Sequence, residues 1–134
     1  MVIAAIGQTV EAGDLNAADL RVSLRARPDP GRFFEHHALS QVLLAVRRYG
    51  HFAIDSVYFR YRDDDGLRAH AAIARTLGYD GKSCIHPAQV ATIHDVYAST
   101  PDELAWARSV LSAWVSGNGS AKGIVAMDGE MIEA

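Results

Sequence analysis

An α/β fold with parallel strands is what this sequence predicts, and three features predict it. Short apolar runs alternate with single amphipathic helices, glycines stop the helices, and polar residues collect near the ends of the apolar runs. Strands separated by single helices pair in parallel through right-handed crossovers. Three such units fit an open doubly wound sheet or an arc of a closed barrel, and periodicity does not choose between them.

The first apolar run, Val2-Ile3-Ala4-Ala5-Ile6 before Gly7, reads as a strand covered on both faces. A loop follows, with a turn of helix expected from Asp14 to Leu20, and Arg27-Pro28-Asp29-Pro30-Gly31 is a breaker. Between Phe33 and Tyr49, Leu39, Val42, Leu43 and Val46 fall at helical spacing, and Gly50 closes the helix. Phe52 to Phe59 reads as a buried strand interrupted by Asp55 and Ser56. Asp63-Asp64-Asp65 offers capping carboxylates for a helix through Leu77, stopped by Gly78.

A third strand is expected from Lys82 to His86, then a short helix from Pro87 to about Tyr97. Thr100-Pro101-Asp102-Glu103 opens the last helix with a capping hydroxyl, a proline at the first position and acids in the first turn. Leu104, Ala107, Val110, Leu111 and Trp114 share one face of that helix, and Gly117-Asn118-Gly119 ends it. The tail from Ile124 to Ile132 has two apolar arms around Asp128-Gly129, which signals a hairpin. The expected division is a body over 1–116 and a hairpin segment over 117–134.

Composition narrows the function. With 134 residues, 49% hydrophobic and 22% charged, the chain can bury a core. A net charge of −3 and no basic cluster argue against nucleic acid as a partner. The run Met1 to Gly7 is too short to cross a bilayer and lacks the basic flank of a signal peptide, so no membrane partner and a cytoplasmic or organelle-matrix location are expected. The single cysteine, Cys84, excludes an internal disulfide and, inside Ser83-Cys84-Ile85, reads as a small buried thiol. Phosphate-loop, dinucleotide and serine-hydrolase motifs do not occur in the sequence.

In parallel architectures ligands bind at the carboxyl ends of the strands. Asp14 lies past the first apolar run, Asp55 late in the second and His86 at the end of the third. Each also has a structural reading. Asp14 could cap the following helix, and His86 before Pro87 could be a satisfied structural histidine. Asp55, inside an apolar strand, requires a hydrogen-bonding or charged partner to offset desolvation. His36, His37, His51, His70 and His94 show no metal-ligand spacing and read as surface residues.

Ala53-Ile54-Asp55-Ser56-Val57-Tyr58, Asp65-Gly66-Leu67, Leu77-Gly78-Tyr79-Asp80-Gly81-Lys82 and Ile85-His86-Pro87-Ala88-Gln89 occur in order. Together with the tail Asp128-Gly129-Glu130-Met131-Ile132-Glu133, they resemble the citrate lyase β-subunit-like family of the HpcH/HpaI aldolase superfamily, which includes malyl-CoA and citramalyl-CoA lyases. The resemblance implies an incomplete TIM (β/α)₈ barrel over 1–116, about strands six to eight with their helices, plus a C-terminal helix and short hairpin. It also implies the C-terminal part of an Mg²⁺-dependent lyase that makes or breaks a carbon–carbon bond between an acyl-CoA thioester and a small oxo-acid. A divalent cation would chelate the oxo-acid and hold the developing alkoxide.

On this resemblance Asp14 corresponds to a metal-binding carboxylate, with Asp19 as a nearby alternative, and amides near Gly13 face the substrate carboxylate. Asp55, His86 and Pro87 would line the same mouth. Glu133 stands where several relatives carry the catalytic base, delivered across a subunit interface, so a homo-oligomer is expected. The substrate-clamping arginine and first metal glutamate of the family belong to earlier strands, which implies little activity from these residues alone. The alternative is a non-catalytic interaction partner, with strand edges open to association.

Overall fold

A computed structural model describes residues 12–14, 17–27, 29–117 and 123–133. The expected strand at Val2–Ile6 lies outside the described residues. The elements run β1 (Ala12–Asp14), α1 (Ala17–Ser23), α2 (His36–Arg48), β2 (Phe52–Asp55), α3 (Asp64–Leu77), β3 (Gly81–Lys82), α4 (Gln89–Tyr97), α5 (Pro101–Ser116), β4 (Ile124–Met127) and β5 (Glu130–Glu133). The described residues fall into two compact units divided between Tyr97 and Ala98. Helix α5 therefore groups with the hairpin rather than with the body, where the sequence had placed it.

The first unit is α/β. Its three strands lie in the order β1-β2-β3, all parallel. Ala12, Gly13 and Asp14 pair with Phe52, Ala53 and Ile54, and Ile54 and Asp55 pair with Gly81 and Lys82. The sequence leads one to expect loop at Ala12 and Gly13 and the start of a helical turn at Asp14, since Ala-Gly-Asp has little strand propensity. Parallel pairing to β2 places this segment in the sheet, and tertiary pairing overrides propensity. The second and third strands are also shorter than expected: β2 ends at Asp55 and β3 at Lys82.

Alternation along β2 fixes the two faces of the sheet. Ala53 and Asp55 are fully buried, whereas Phe52 is 61% exposed. Ala53 packs into a core of Leu39, Val42 and Val46 from α2, Ala74 from α3, and Tyr79. Burial of such side chains contributes roughly 1.5–3 kcal/mol each for the larger ones. Asp55, two residues on, points to the same helix-covered side.

The predicted caps position the helices. Asp63 accepts a 2.9 Å hydrogen bond from the Gly66 amide at the start of α3, and its other oxygen accepts one from the Tyr58 hydroxyl at 2.6 Å. A Cβ on Gly66 would lie 2.1 Å from that hydroxyl and 2.4 Å from Asp63 Oδ2, so any other residue there must displace both hydrogen-bonded side chains. Gly66→Ala is expected to cost about 1–3 kcal/mol through overpacking, read as a lower urea midpoint. An unchanged midpoint would show that this turn is not tightly packed. Gly78, at φ 104°, ends α3 in the left-handed region that favours glycine.

Gln89 ties two loops together. Its side-chain oxygen accepts from the Ile85 amide at 2.9 Å, and its amide donates to the Tyr58 carbonyl at 2.8 Å. The glutamine of the Ile-His-Pro-x-Gln motif thus holds the segments that follow β2 and β3 at a fixed separation. Cys84 is exposed, against the expectation of a buried thiol, because the run Ser83 to Ile85 leaves the sheet after Lys82.

The second unit contains α5 and the hairpin. Thr100 and Glu103 exchange both hydrogen bonds of a capping box, with Pro101 at the first position. None of the helix's residues is fully buried; on the face expected to pack, Val110 and Trp114 are half-buried while Leu104, Ala107 and Leu111 are exposed. Strands β4 and β5 pair antiparallel from Ile124↔Glu133 to Met127↔Glu130 around Asp128 and Gly129, both at positive φ. That is the turn the Asp-Gly pair predicts. Among the described residues no helix is long and apolar enough to cross a membrane.

Candidate functional site

Parallel pairing brings the carboxyl ends of three strands together at Asp14, Asp55 and Lys82. Gly13 lies within β1 opposite Ala53. His86 and Pro87 sit in the exposed loop between β3 and α4. The His86 ring stacks on Tyr61, with centroids 4.6 Å apart and planes at 28°, and its Nδ1 accepts from the Ala88 amide at 3.2 Å. The loops after β2 and β3 therefore meet at His86. Glu133 is exposed on β5, in the second compact unit.

Asp55 is organised differently from these groups. Its carboxylate is on the helix-covered side and receives Arg32 in a bidentate pair, NH1 to Oδ2 at 2.9 Å and NH2 to Oδ1 at 2.7 Å. Lys82 Nζ donates to Oδ2 at 2.7 Å. Arg32 also donates through Nε to Glu35 at 2.7 Å, through NH1 to the His70 carbonyl at 3.2 Å and through NH2 to Ser56 Oγ at 3.4 Å. Every donor of this guanidinium is thereby used. The same is true of the Lys82 ammonium, which donates to Asp55, to the Ser56 carbonyl and to His70 Nδ1.

Two cations and two carboxylates thus balance in a nearly dry site. Arg32 and Lys82 are 1% and 8% exposed, Asp55 0% and Glu35 5%. Burial by itself raises the Asp55 carboxyl, but the hydrogen bonds and positive charges of Arg32 and Lys82 outweigh it and hold the group well below the usual carboxylate range. Burial also lowers Lys82, against the opposing pull of Asp55. His70 is lowered first by burial and then by the two cations, while Asp55 works the other way.

An ammonium can only donate, so His70 Nδ1 accepts and the ring proton sits on Nε2. The separation of 3.6 Å between Nδ1 and Asp55 Oδ2 is too long for a competing hydrogen bond. The reading of His70 as a surface residue is corrected: its side chain is 16% exposed.

This network holds four segments in register: the turn before α2, β2, α3 and β3. Arg32 adopts φ 55°, a left-handed conformation that costs a non-glycine residue of order 1–3 kcal/mol. Its five hydrogen bonds offset that cost. Sequence reasoning identified that Asp55 needed a partner but missed Arg32, Lys82 and His70. One signal was present for His70, which shares the helical stripe of Leu67, Ala71 and Ala74.

Asp55 cannot offer lone pairs to a metal while Arg32 and Lys82 occupy both oxygens. Among the described residues no three His, Cys, Asp or Glu side chains gather as a metal site. One further carboxylate, at Asp14, is too few for an Mg²⁺ cage. The described residues alone therefore do not fit a resident Mg²⁺.

Three parallel strands with a buried charge network at Asp55 and Lys82 define the first unit as an α/β fold. The HpcH/HpaI aldolase/citrate lyase family model matches residues 2–87, and the chain belongs to that family. It is 35% identical over 115 residues to a (3S)-malyl-CoA thioesterase of Cereibacter sphaeroides, covering 86% of this chain and 40% of that protein. It is 38% identical over 117 residues to a citrate lyase subunit beta-like protein of Deinococcus radiodurans, covering 87% and 41%. The structure of CitE from Mycobacterium tuberculosis in complex with magnesium, acetoacetate and coenzyme A superposes with a TM-score of 0.74 at 33% identity, over 90% of this chain and 46% of that one. The fold is thus similar to that of a citrate lyase β subunit, and the chain spans less than half the length of these relatives.

Proposed function

We propose that this chain is the C-terminal part of an Mg²⁺-dependent CoA-ester lyase of the citrate lyase β-like, malyl-CoA or citramalyl-CoA type, contributing about strands six to eight of a TIM barrel. Its substrates are an acyl-CoA thioester and a small oxo-acid. The observation that supports this reading best is the motif pair Gly-Tyr-Asp-Gly-Lys and Ile-His-Pro-Ala-Gln, since both motifs act in the structure. Lys82 locks β3 to β2 through Asp55, and Gln89 fixes the loop that carries His86.

In this reading Asp14 is one metal ligand among several, and the Gly13 amide, His86 and Pro87 border the substrate. Asp55 serves the mouth from behind by fixing the segment that follows β2. Glu133 is the base, and residues outside this chain complete the site.

Fusing the chain behind the preceding segment of the Cereibacter sphaeroides relative tests this directly. The expected result is cleavage of malyl-CoA or citramalyl-CoA that EDTA stops and Mg²⁺ restores. Asp14→Asn in the fusion lowers turnover by about 10²-fold or more, as for the loss of other groups that stabilise developing charge. A folded fusion that turns over neither ester would overturn the lyase reading.

A second reading, a non-catalytic interaction partner, is favoured by the uncovered apolar side chains. Phe52 and Ile85 in the first unit and Leu111 and Val115 in the second are all more than half exposed. Mass in solution separates the two: a self-associated chain supports it, and a well-folded monomer counts against it.

A further inference from the structure

A concave site lies beside the helix-covered face of the sheet, where the segments that follow β1 and β2 meet the turn before α2. A cavity of about 530 Å³ opens between α1, the turn before α2, the segment after β2 and the start of α3. Its wall combines Phe34 and Val57 with Arg21, Tyr58, Arg60 and His70. Three more charges border it but are already committed. Arg32 and Glu35 belong to the buried network, and the two oxygens of Asp29 accept from the Gly31 and Phe33 amides at 3.1 and 2.7 Å.

What remains are donors. His70 presents Nδ1 to the buried Lys82 ammonium, so the opposite edge of the ring carries a fixed Nε2–H, with no hydrogen-bond partner among the described residues. The Tyr58 ring lies 5.3 Å from the His70 ring, and Arg60 Cζ lies 5.4 Å from the Tyr58 centroid. Arg60 donates through Nε to the Tyr58 hydroxyl at 3.1 Å and pairs through the same nitrogen with Asp63 at 3.4 Å, so its two terminal nitrogens have no hydrogen-bond partner among the described residues. Arg21, on α1, has no partner among the described residues.

We propose that this cavity binds a small organic carboxylate, held by His70 Nε2–H and the guanidinium groups of Arg60 and Arg21, with its apolar body against Phe34 and Val57. A planar carboxylate matches the fork of an arginine. Phosphate matches it less well here, because the apolar wall replaces the water that a near-dianion retains. The preset tautomer matters: His70 needs no proton uptake to act as a donor, because the Asp55–Lys82 pair behind it has already fixed where its proton sits. The inference stands on the cavity and the network and does not depend on the lyase reading.

The test is a long-range ¹H–¹⁵N spectrum of the histidine rings of the labelled chain, titrated with butyrate, benzoate and inorganic phosphate. The free chain should show His70 as the neutral Nε2–H tautomer. Butyrate and benzoate should move its Nε2 resonance in a saturable way at up to about 10 mM, enough to fill a site of millimolar affinity. Arg60→Met should weaken that binding about tenfold, as loss of one charge-assisted pair does. Arg108→Met, on α5, should leave it unchanged. An Nδ1–H tautomer, no saturable shift with either carboxylate, phosphate binding as tightly as the carboxylates, or equal loss in the Arg60 and Arg108 variants would each overturn the proposal.

Discussion

Asp55→Asn lowers the folding stability of this chain by about 3–5 kcal/mol, the range for removing one partner of a buried ion pair. The amide keeps the shape of the carboxylate but not its charge, so Arg32 and Lys82 are left with Glu35 as the one buried anion among the described residues. Both cations are almost completely enclosed, and neither can reach water without opening the sheet from its helices. Against a total stability of roughly 5–15 kcal/mol for a domain, such a loss brings the variant close to unfolding. Lys82→Met should cost a similar amount, because it strands Asp55 with a single cation. The double variant should lose clearly less than the sum, with a coupling of about 0.5–3 kcal/mol, since each change removes the other's unpaired charge. Urea denaturation of the four proteins measures this. The exposed pair Arg68–Asp95 provides the contrast: Arg68→Ala should leave the urea midpoint almost unchanged, because water screens both charges. Equal losses at the two pairs, or strict additivity at the buried one, would show that burial does not govern the network.

The same residues mark how far the sequence could be read. Helices α3 and α5 were legible because their ends carry local chemistry: Asp63 and Gly78 for one, Thr100, Pro101 and Glu103 for the other. The hairpin was legible from Asp128-Gly129. Strand β1 was not, since Ala12-Gly13-Asp14 joins the sheet only through its pairing with β2. Asp55 announced a need for a counter-charge, yet its partners lie 23 residues upstream and 27 downstream, with no periodicity to link them. Arg32 directly follows what reads as a breaker, and its buried role depends on a left-handed backbone that composition does not reveal. Long-range charge pairing is specified by three-dimensional register, whereas caps and turns are specified by neighbours in the chain. That difference also explains the rim. Asp14 and His86 were placed near strand ends by element order, but the stack of His86 on Tyr61 required the fold.

The pH dependence of stability should carry the signature of His70. Its folded-state pKa is lowered from the ordinary histidine value, so the unfolded chain takes up the proton first as pH falls. The stabilisation is therefore complete above about pH 6.5, the unfolded value, and declines below it by up to about 1.4 kcal/mol per pH unit until the folded form is protonated as well. Burial of the ring sets this sign, and the groups that face it adjust the size of the effect. Lys82 on β3 and Arg32 before α2 oppose a second positive charge, Asp55 on β2 favours it, and Tyr58 contributes only its ring. Protonation at Nδ1 would also turn the acceptor of the Lys82 hydrogen bond into a donor facing an ammonium. Asp55 adds a separate fall at much lower pH: its stabilisation is present above the unfolded value of about 4 and is lost as pH drops through its depressed folded value. Between pH 7 and 5 the two effects are distinct. His70→Asn places an amide oxygen near the position of Nδ1, where it can accept from Lys82 without titrating. The variant should therefore be less sensitive than the parent chain to a shift from pH 7 to pH 5, and unfolding it should release or bind fewer protons across that interval. If both proteins lose stability with the same slope, the proton that destabilises the fold in this range is taken up elsewhere.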